Sequence, residues 1–250
     1  MEVTRTPFQG VLNIIKFNWN FYVLALAIVV LMLIAASYFK SISFLYLFAV
    51  LIFAGSITSL LVSFYIYDLS GLYKLNWING TKTEQLIVNI HAGFDETSLL
   101  LGSKYKDAEL RIIDFYDPQK HTEPSIKRAR KAYPALPQTV RADAVRLPIE
   151  DNAADKIFVI FSAHEIRSEI ERQAFIRELA RIIKPGGEIY LTEHLRDLAN
   201  FLAYNIGFFH FYSRKSWLKL FSNAALKLDQ EIKHTPFIST FIISKNDHPF

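Results

Sequence analysis

The sequence predicts an α/β domain built on a doubly wound, mostly parallel sheet, preceded by two helices able to cross a bilayer. Three observations carry this expectation. Two long uncharged runs open the chain, at 17–39 and 41–67. From residue 85 onward, short apolar runs alternate with amphipathic stretches, the pattern of repeated βαβ units. Two strand-like runs split by Pro236 then close the chain as an antiparallel pair.

The N-terminal runs come first. The chain has 250 residues, 51% of them hydrophobic, and its mean hydropathy of +0.18 is high for a water-exposed globule. The surplus lies in the two runs, of 23 and 27 residues. A bilayer core of roughly 30 Å needs about 20 helical residues, so each run is long enough to span it. The turn YFKSIS predicts a tight helical hairpin. Trp19, Tyr22, Tyr65, Tyr67, Tyr73 and Trp77 flank the runs, where amphipathic rings favour the interface. A signal peptide fits poorly, because a second run follows at once and no small-residue cleavage site stands out. Arg5, Lys16, Lys74 and Lys82 lie outside the hairpin and only Lys40 lies in its turn. That bias predicts a two-span membrane protein with its N-terminus and soluble domain cytoplasmic. The expected organisation is a hairpin segment at 1–67, an interfacial connector at 68–84 and a soluble domain at 85–250. Residues 17–67 would contact the lipid bilayer.

Strands are expected at 85–90, 108–114, 138–143, 155–161 and 188–193, with the final pair after residue 225. Helices are expected at 94–104, 125–133, 167–183 and 216–225. The 167–183 helix would bury Ile170, Phe175, Leu179 and Ile182, and KPGG at 184–187 would stop it. Ligands of such sheets bind beyond the carboxyl ends of the strands.

The absence of cysteine excludes disulfides, cysteine nucleophiles and thiolate metal sites. A net charge of +4 is too small to indicate nucleic acid, and no basic stripe interleaves with stacking aromatics. No tight ligand spacing such as H-E-x-x-H occurs, so no metal site is expected.

The series ADAVRLPIED, Asp155, IRELARIIKPGG and IYLTEH resembles, in order and spacing, the class I S-adenosylmethionine-dependent methyltransferases, of the type 11 kind. The resemblance covers about 85–245. It implies a Rossmann-like class I methyltransferase sheet with a C-terminal antiparallel hairpin, S-adenosyl-L-methionine as cofactor, and methyl transfer by SN2 displacement. The family's glycine turn, close to V-L-D-I-G-C-G-T-G, reads IVNIHAGFD here. Asn89 stands for the acid, His91 for the first glycine and Asp95 for the third, and Gly93 survives. Asp95 or Glu96 would meet the cofactor's ammonium, or would simply open the next helix. By the same resemblance, Asp114 would hold the ribose hydroxyls, with Asp117 as fallback. Asp143 and Ala144 would lie at the adenine, and Phe115 would pack on its face. His164, His194, Tyr204 and His210 would orient or deprotonate the acceptor. The aromatic stretch 195–212 would line a lipophilic acceptor site. Arg128, Arg130 and their neighbours would meet anionic headgroups. The altered glycine turn keeps open a second expectation, a non-catalytic ligand-binding or assembly module on this fold at the membrane. A nicotinamide dehydrogenase would want G-x-G-x-x-G after the first strand, which HAGFDE lacks.

Overall fold

The computed structural model describes residues 5–246, apart from 79, 81, 82 and 122. Two helices, α1 (Gln9–Tyr38) and α2 (Leu45–Phe64), pack as an antiparallel pair, with a single 3-10 turn (Lys40–Ile42) in the connection. Both are long and apolar enough to cross a membrane, and in their most apolar windows only 11% and 6% of residues are buried. A core hairpin of a soluble protein would bury most of that surface.

The soluble unit is one seven-stranded sheet in the order β3-β2-β1-β4-β5-β7-β6. In chain order the strands are β1 (Leu86–His91), β2 (Glu109–Asp114), β3 (Thr139–Arg141), β4 (Ala154–Ile160), β5 (Ile183–His194), β6 (Leu226–Thr235) and β7 (Ile238–Lys245). The first five pair in parallel, and β7 returns antiparallel between β5 and β6. The central strands are apolar on both faces, as helices on both sides require. Val88, Ile90, Ile157, Val159, Ile189 and Leu191 face one cluster with Phe175, Leu179 and Trp217, while Ile87, Phe158 and Tyr190 face the other. The helices are α3 (Ser98–Lys104), α4 (Pro124–Ala132), α5 (Glu169–Ile182), α6 (Leu198–Tyr204) and α7 (Arg214–Ser222).

Three expectations change. The strand after α5 begins at Ile183, so KPGG lies inside β5 rather than between helix and strand. Ile183 pairs Ala154, Glu188 pairs Lys156, and the register shift between them takes up the glycines. Ile170 is 85% exposed; Arg172 is buried instead, its guanidinium lying over the Tyr212 ring and donating to the Ile166 carbonyl. The helix expected from 94 starts only at Ser98. The connector packs on the domain. Leu72 packs with Ile66 and Ile238, and Leu75 and Ile78 pack under Ile87 and Phe158. Of the connector expected at 68–84, Asn79, Thr81 and Lys82 lie outside the described residues.

The hairpin is fastened to the domain by its polar ends. Asp68, just beyond α2, accepts from the N–H groups of Gly10 and Val11 at 2.8 and 2.9 Å, capping α1 from another element. Gly10 permits this approach, because a Cβ there would collide with Tyr67. At Asn18 the backbone leaves helical geometry (φ −116°, ψ 17°), and Arg128 takes up the Phe17 carbonyl. The part of α1 before this kink lies against the domain. Just beyond it, Trp19 and Asn20 still meet Arg128 of α4.

Candidate active site

The carboxyl ends of β1, β2, β4 and β5 share one edge of the sheet. His91 pairs Asp114 in register there, and Asp114 pairs Arg141. Two cavities open along this edge. One, of about 180 Å³, lies between the sheet and α1 and is lined by Asn13, Phe17, His91, Phe94, Glu96 and Phe161, among others. The second, of about 270 Å³, lies beyond β2 and is lined by Phe115, Asp117, His121, Asp143, Ala144 and Glu171, among others. Phe115 also packs on Phe175, so it serves both core and cavity wall.

The turn after β1 explains its unusual sequence. Asn89 points its amide at the hydroxyls of Thr97 and Ser98, at 3.0 and 2.7 Å. Asp95 Oδ1 accepts from the Thr97 and Ser98 N–H groups, so this oxygen caps α3, as the helix-opening reading expected. Gly93 N–H donates to His91 Nδ1. Gly93 itself is needed: its φ is +91°, and a Cβ would collide with Arg130. His91 Nε2 and Asp95 Oδ2 are buried, 4.0 Å apart, and neither has a hydrogen-bond partner among the described residues. Burial holds the His91 pKa below its ordinary value, against the pull of Asp95 and Asp114. Glu96 faces the other way, taking Arg5 at 2.8 Å and the Tyr73 hydroxyl at 2.9 Å.

Asp114 is 1% exposed. Its Oδ1 accepts from Tyr116 N–H and its Oδ2 from Arg130 at 2.6 Å. Arg130 also lies over the Tyr116 ring, 4.3 Å from its centroid. Arg130 and Arg128 thus both make contacts within the protein. Asp117 accepts from Gln119 N–H in a local turn, and Asp143 Oδ1 accepts from Val145 N–H.

A second polar cluster sits beyond β4 and β5. His164, in the 3-10 turn Ala163–Glu165, places Nδ1 2.6 Å from Glu193, which is wholly buried. Its Nε2 lies 3.3 Å from Glu165. His210, at the end of the 3-10 segment Asn205–His210, places Nε2 3.8 Å from the same Glu165 oxygen and Nδ1 3.0 Å from Glu123. Burial alone would lower the His164 pKa, but Glu193 and Glu165 outweigh it and raise it well above ordinary. His210 is likewise raised, by Glu123 and Glu165 against burial. Burial would raise Glu165, yet the two imidazoles hold it far below the usual carboxylate range.

His194 behaves differently. Burial lowers its pKa to about 3. Asn200 donates its amide to the Phe237 carbonyl, so its oxygen faces His194 Nδ1 at 3.1 Å and accepts. The neutral ring therefore donates from Nδ1 and accepts the Tyr67 hydroxyl at Nε2, 2.7 Å away. With both nitrogens engaged, His194 clamps the base of α2 to β5, leaving no nitrogen to act as a base. Tyr204 packs edge-on to it, 5.4 Å between centroids. Phe161, held at φ 52°, stacks on the other side of the ring.

Sequence reading missed Arg130, Glu123, Tyr67 and the first turns of α1. Arg130 and Glu123 looked like ordinary charges around a solvated helix. Asn13 and Asn18, polar breaks at the start of an apolar stretch, were the available signal for the docked part of α1.

Residues 116–191 match the family model described as a methyltransferase domain. The fold resembles human N-acetylserotonin methyltransferase in complex with S-adenosylmethionine, at TM-score 0.52 and 15% identity over 76% of this chain and 55% of that one.

The chain has the fold of the class I methyltransferases.

Short stretches of the chain are similar to curated proteins. One is 37% identical over 54 residues to a demethylmenaquinone methyltransferase of Mycolicibacterium paratuberculosis, covering 22% of each chain. Another is 31% identical over 74 residues to a ubiquinone/menaquinone biosynthesis C-methyltransferase of Idiomarina loihiensis, covering 27% of this chain and 28% of that one. The chain thus spans about a quarter of the length of the curated relatives it matches.

Proposed function

We propose that the protein is a membrane-anchored S-adenosylmethionine-dependent methyltransferase acting on a lipophilic acceptor. One observation carries the cofactor assignment. A buried carboxylate, Asp114, ends β2 between two cavities, and His91, which lines the smaller one, turns an orphaned buried nitrogen toward an orphaned buried oxygen of Asp95. The second cavity, with Asp143, Ala144 and Phe115, suits an adenine. Asp114 suits the ribose hydroxyls. The turn from Asn89 through Gly93 to Asp95 suits the amino-acid end, where a charged ligand would satisfy His91 Nε2 and Asp95 Oδ2.

S-adenosylmethionine supplies a methyl group already activated by positive sulfur. An acceptor lone pair would displace the sulfonium sulfur from that carbon, and any proton on the attacking atom would have to leave. Alignment is therefore the protein's main contribution. His164, His210 and Tyr204 lie on the acceptor side, and His194 keeps that wall in place.

The two exposed apolar helices support anchoring in a bilayer through 17–67, with the flanking cations on the cytoplasmic side. Because the domain packs directly on the hairpin's base, its crevice would stay near the membrane surface. The names of the quinone-pathway relatives favour a lipophilic acceptor, as does the exposed apolar stretch with Leu198, Leu202, Ile206 and Phe209. A second reading, a non-catalytic module of this fold, draws support from the Arg130–Asp114 contact and from His91 in place of glycine. Calorimetry of the detergent-purified chain with S-adenosylmethionine and S-adenosylhomocysteine separates the two. Saturable binding of both supports the enzyme, and binding of neither refutes it.

A further inference from the structure

We propose that His164, Glu165 and His210 form a binding site for one divalent transition-metal ion, with Zn²⁺ the best-suited occupant. One ligand atom from each of the three lies within 4.8 Å of the other two. Zinc with bonds of about 2.0–2.1 Å to nitrogen and oxygen places neighbouring tetrahedral ligands about 3.3 Å apart. His164 Nε2 and Glu165 Oε1 stand 3.3 Å apart, and His210 Nε2 stands 3.8 Å from the same oxygen.

The outer groups carry the inference further. A metal-bound imidazole characteristically gives its other N–H to a carboxylate, which fixes the ring and strengthens the ligand. Both imidazoles have that partner here: Glu193 at His164 Nδ1 and Glu123 at His210 Nδ1. Both rings thus turn Nε2 inward toward one shared carboxylate. Two imidazoles and one carboxylate leave a coordination position for water or another oxygen ligand. The His210 side chain is 24% exposed against 10% and 7% for the other two, which gives an ion a route inward. A bound ion would staple the Asn205–His210 segment, which borders the acceptor side, to the end of β4. Arg167 already joins them by donating to the carbonyls of His164 and His210.

The site uses side chains that the methyl-transfer reading places on the acceptor side, so it is tested without cofactor. The full chain, purified in detergent without a histidine tag and stripped with chelator, is titrated calorimetrically with Zn²⁺. Melting is then recorded with and without Zn²⁺. A one-to-one site and a raised melting temperature are expected. His210→Ala removes the site. Glu123 is 42% exposed, so Glu123→Gln keeps the fold and weakens zinc binding by about 10–100-fold through the lost outer carboxylate. His234→Ala, at a ring packed on Trp77, leaves zinc binding unchanged. Lack of a saturable one-to-one site in the parent chain overturns the proposal. So does zinc affinity that is unaltered by Glu123→Gln.

Discussion

Arg130 lies across the crevice, and its removal should separate stability from cofactor affinity. Its guanidinium sits 2.6 Å from Asp114 Oδ2 and covers Gly93, while the other Asp114 oxygen is taken by Tyr116 N–H. A ribose seated on Asp114 must displace this contact. Arg130→Gln leaves Asp114 buried without its cation. Losing one partner of a buried pair costs about 3–5 kcal/mol. The arginine side chain is 20% exposed and Tyr116 still bonds the acid, which brings the expected loss to about 2–3 kcal/mol. At about 2–4 °C per kcal/mol for a domain of this size, melting should fall by about 4–12 °C. Affinity should move the other way. A charge-assisted hydrogen bond worth about 1.5–3 kcal/mol no longer has to be broken, so S-adenosylhomocysteine should bind about 10–100-fold more tightly. Calorimetry and thermal melting on the same preparation measure both. Lower melting together with weaker binding would refute the reasoning, because Arg130 would then be part of the cofactor's own site.

Three other outcomes follow from the geometry. Asp114→Ala should weaken S-adenosylmethionine binding by at least about tenfold, through two lost charge-assisted bonds, and unchanged affinity in a folded variant would dismiss the ribose role. Burial raises the Asp155 carboxyl, but Lys184 and the N–H groups of Leu86 and Gln85 outweigh it and hold it below its ordinary value. Its contribution is therefore present above the unfolded pKa of about 3.9 and lost as pH falls through the folded one; Asp155→Asn should lower stability at neutral pH by about 1–2 kcal/mol in urea melts, and no change would dismiss the tie. His194 is held near 3 by burial, so between about 3 and 6.5 only the unfolded state takes its proton and stability drops as pH falls. His194→Gln should flatten that acid slope, measured by urea unfolding at several pH values, and a slope that persists would assign it elsewhere.

The parts legible in sequence were those that repeat a local period. Buried parallel strands are continuous apolar runs, so β1, β2 and β4 were found within a residue or two. The two apolar helices were found by length. KPGG misled because glycine and proline usually end a helix at a turn, whereas here a register shift lets β5 absorb them. Ile170 misled because helical spacing does not say which side of the first turn faces the core. The site was legible where a carboxylate ends a strand, as at Asp114. It was illegible where partners arrive from distant elements: Arg130 from α4 onto Asp114, Tyr67 from the base of α2 onto His194, and Glu123 onto His210. Charge spacing within one helix cannot reveal such pairs. His164, Glu165 and His210 likewise have no ligand spacing in sequence, and only the return of the Asn205–His210 segment to the end of β4 assembles them.

The most direct measurement of the central claim follows the methyl group itself. The detergent-purified protein is incubated with methyl-labelled S-adenosylmethionine and a membrane extract, and the products are divided between lipid and aqueous phases. The account expects label in the lipid phase, lost in Asp114→Ala. Label confined to the aqueous phase would contradict the lipophilic acceptor, and no transfer to either phase would contradict the enzyme.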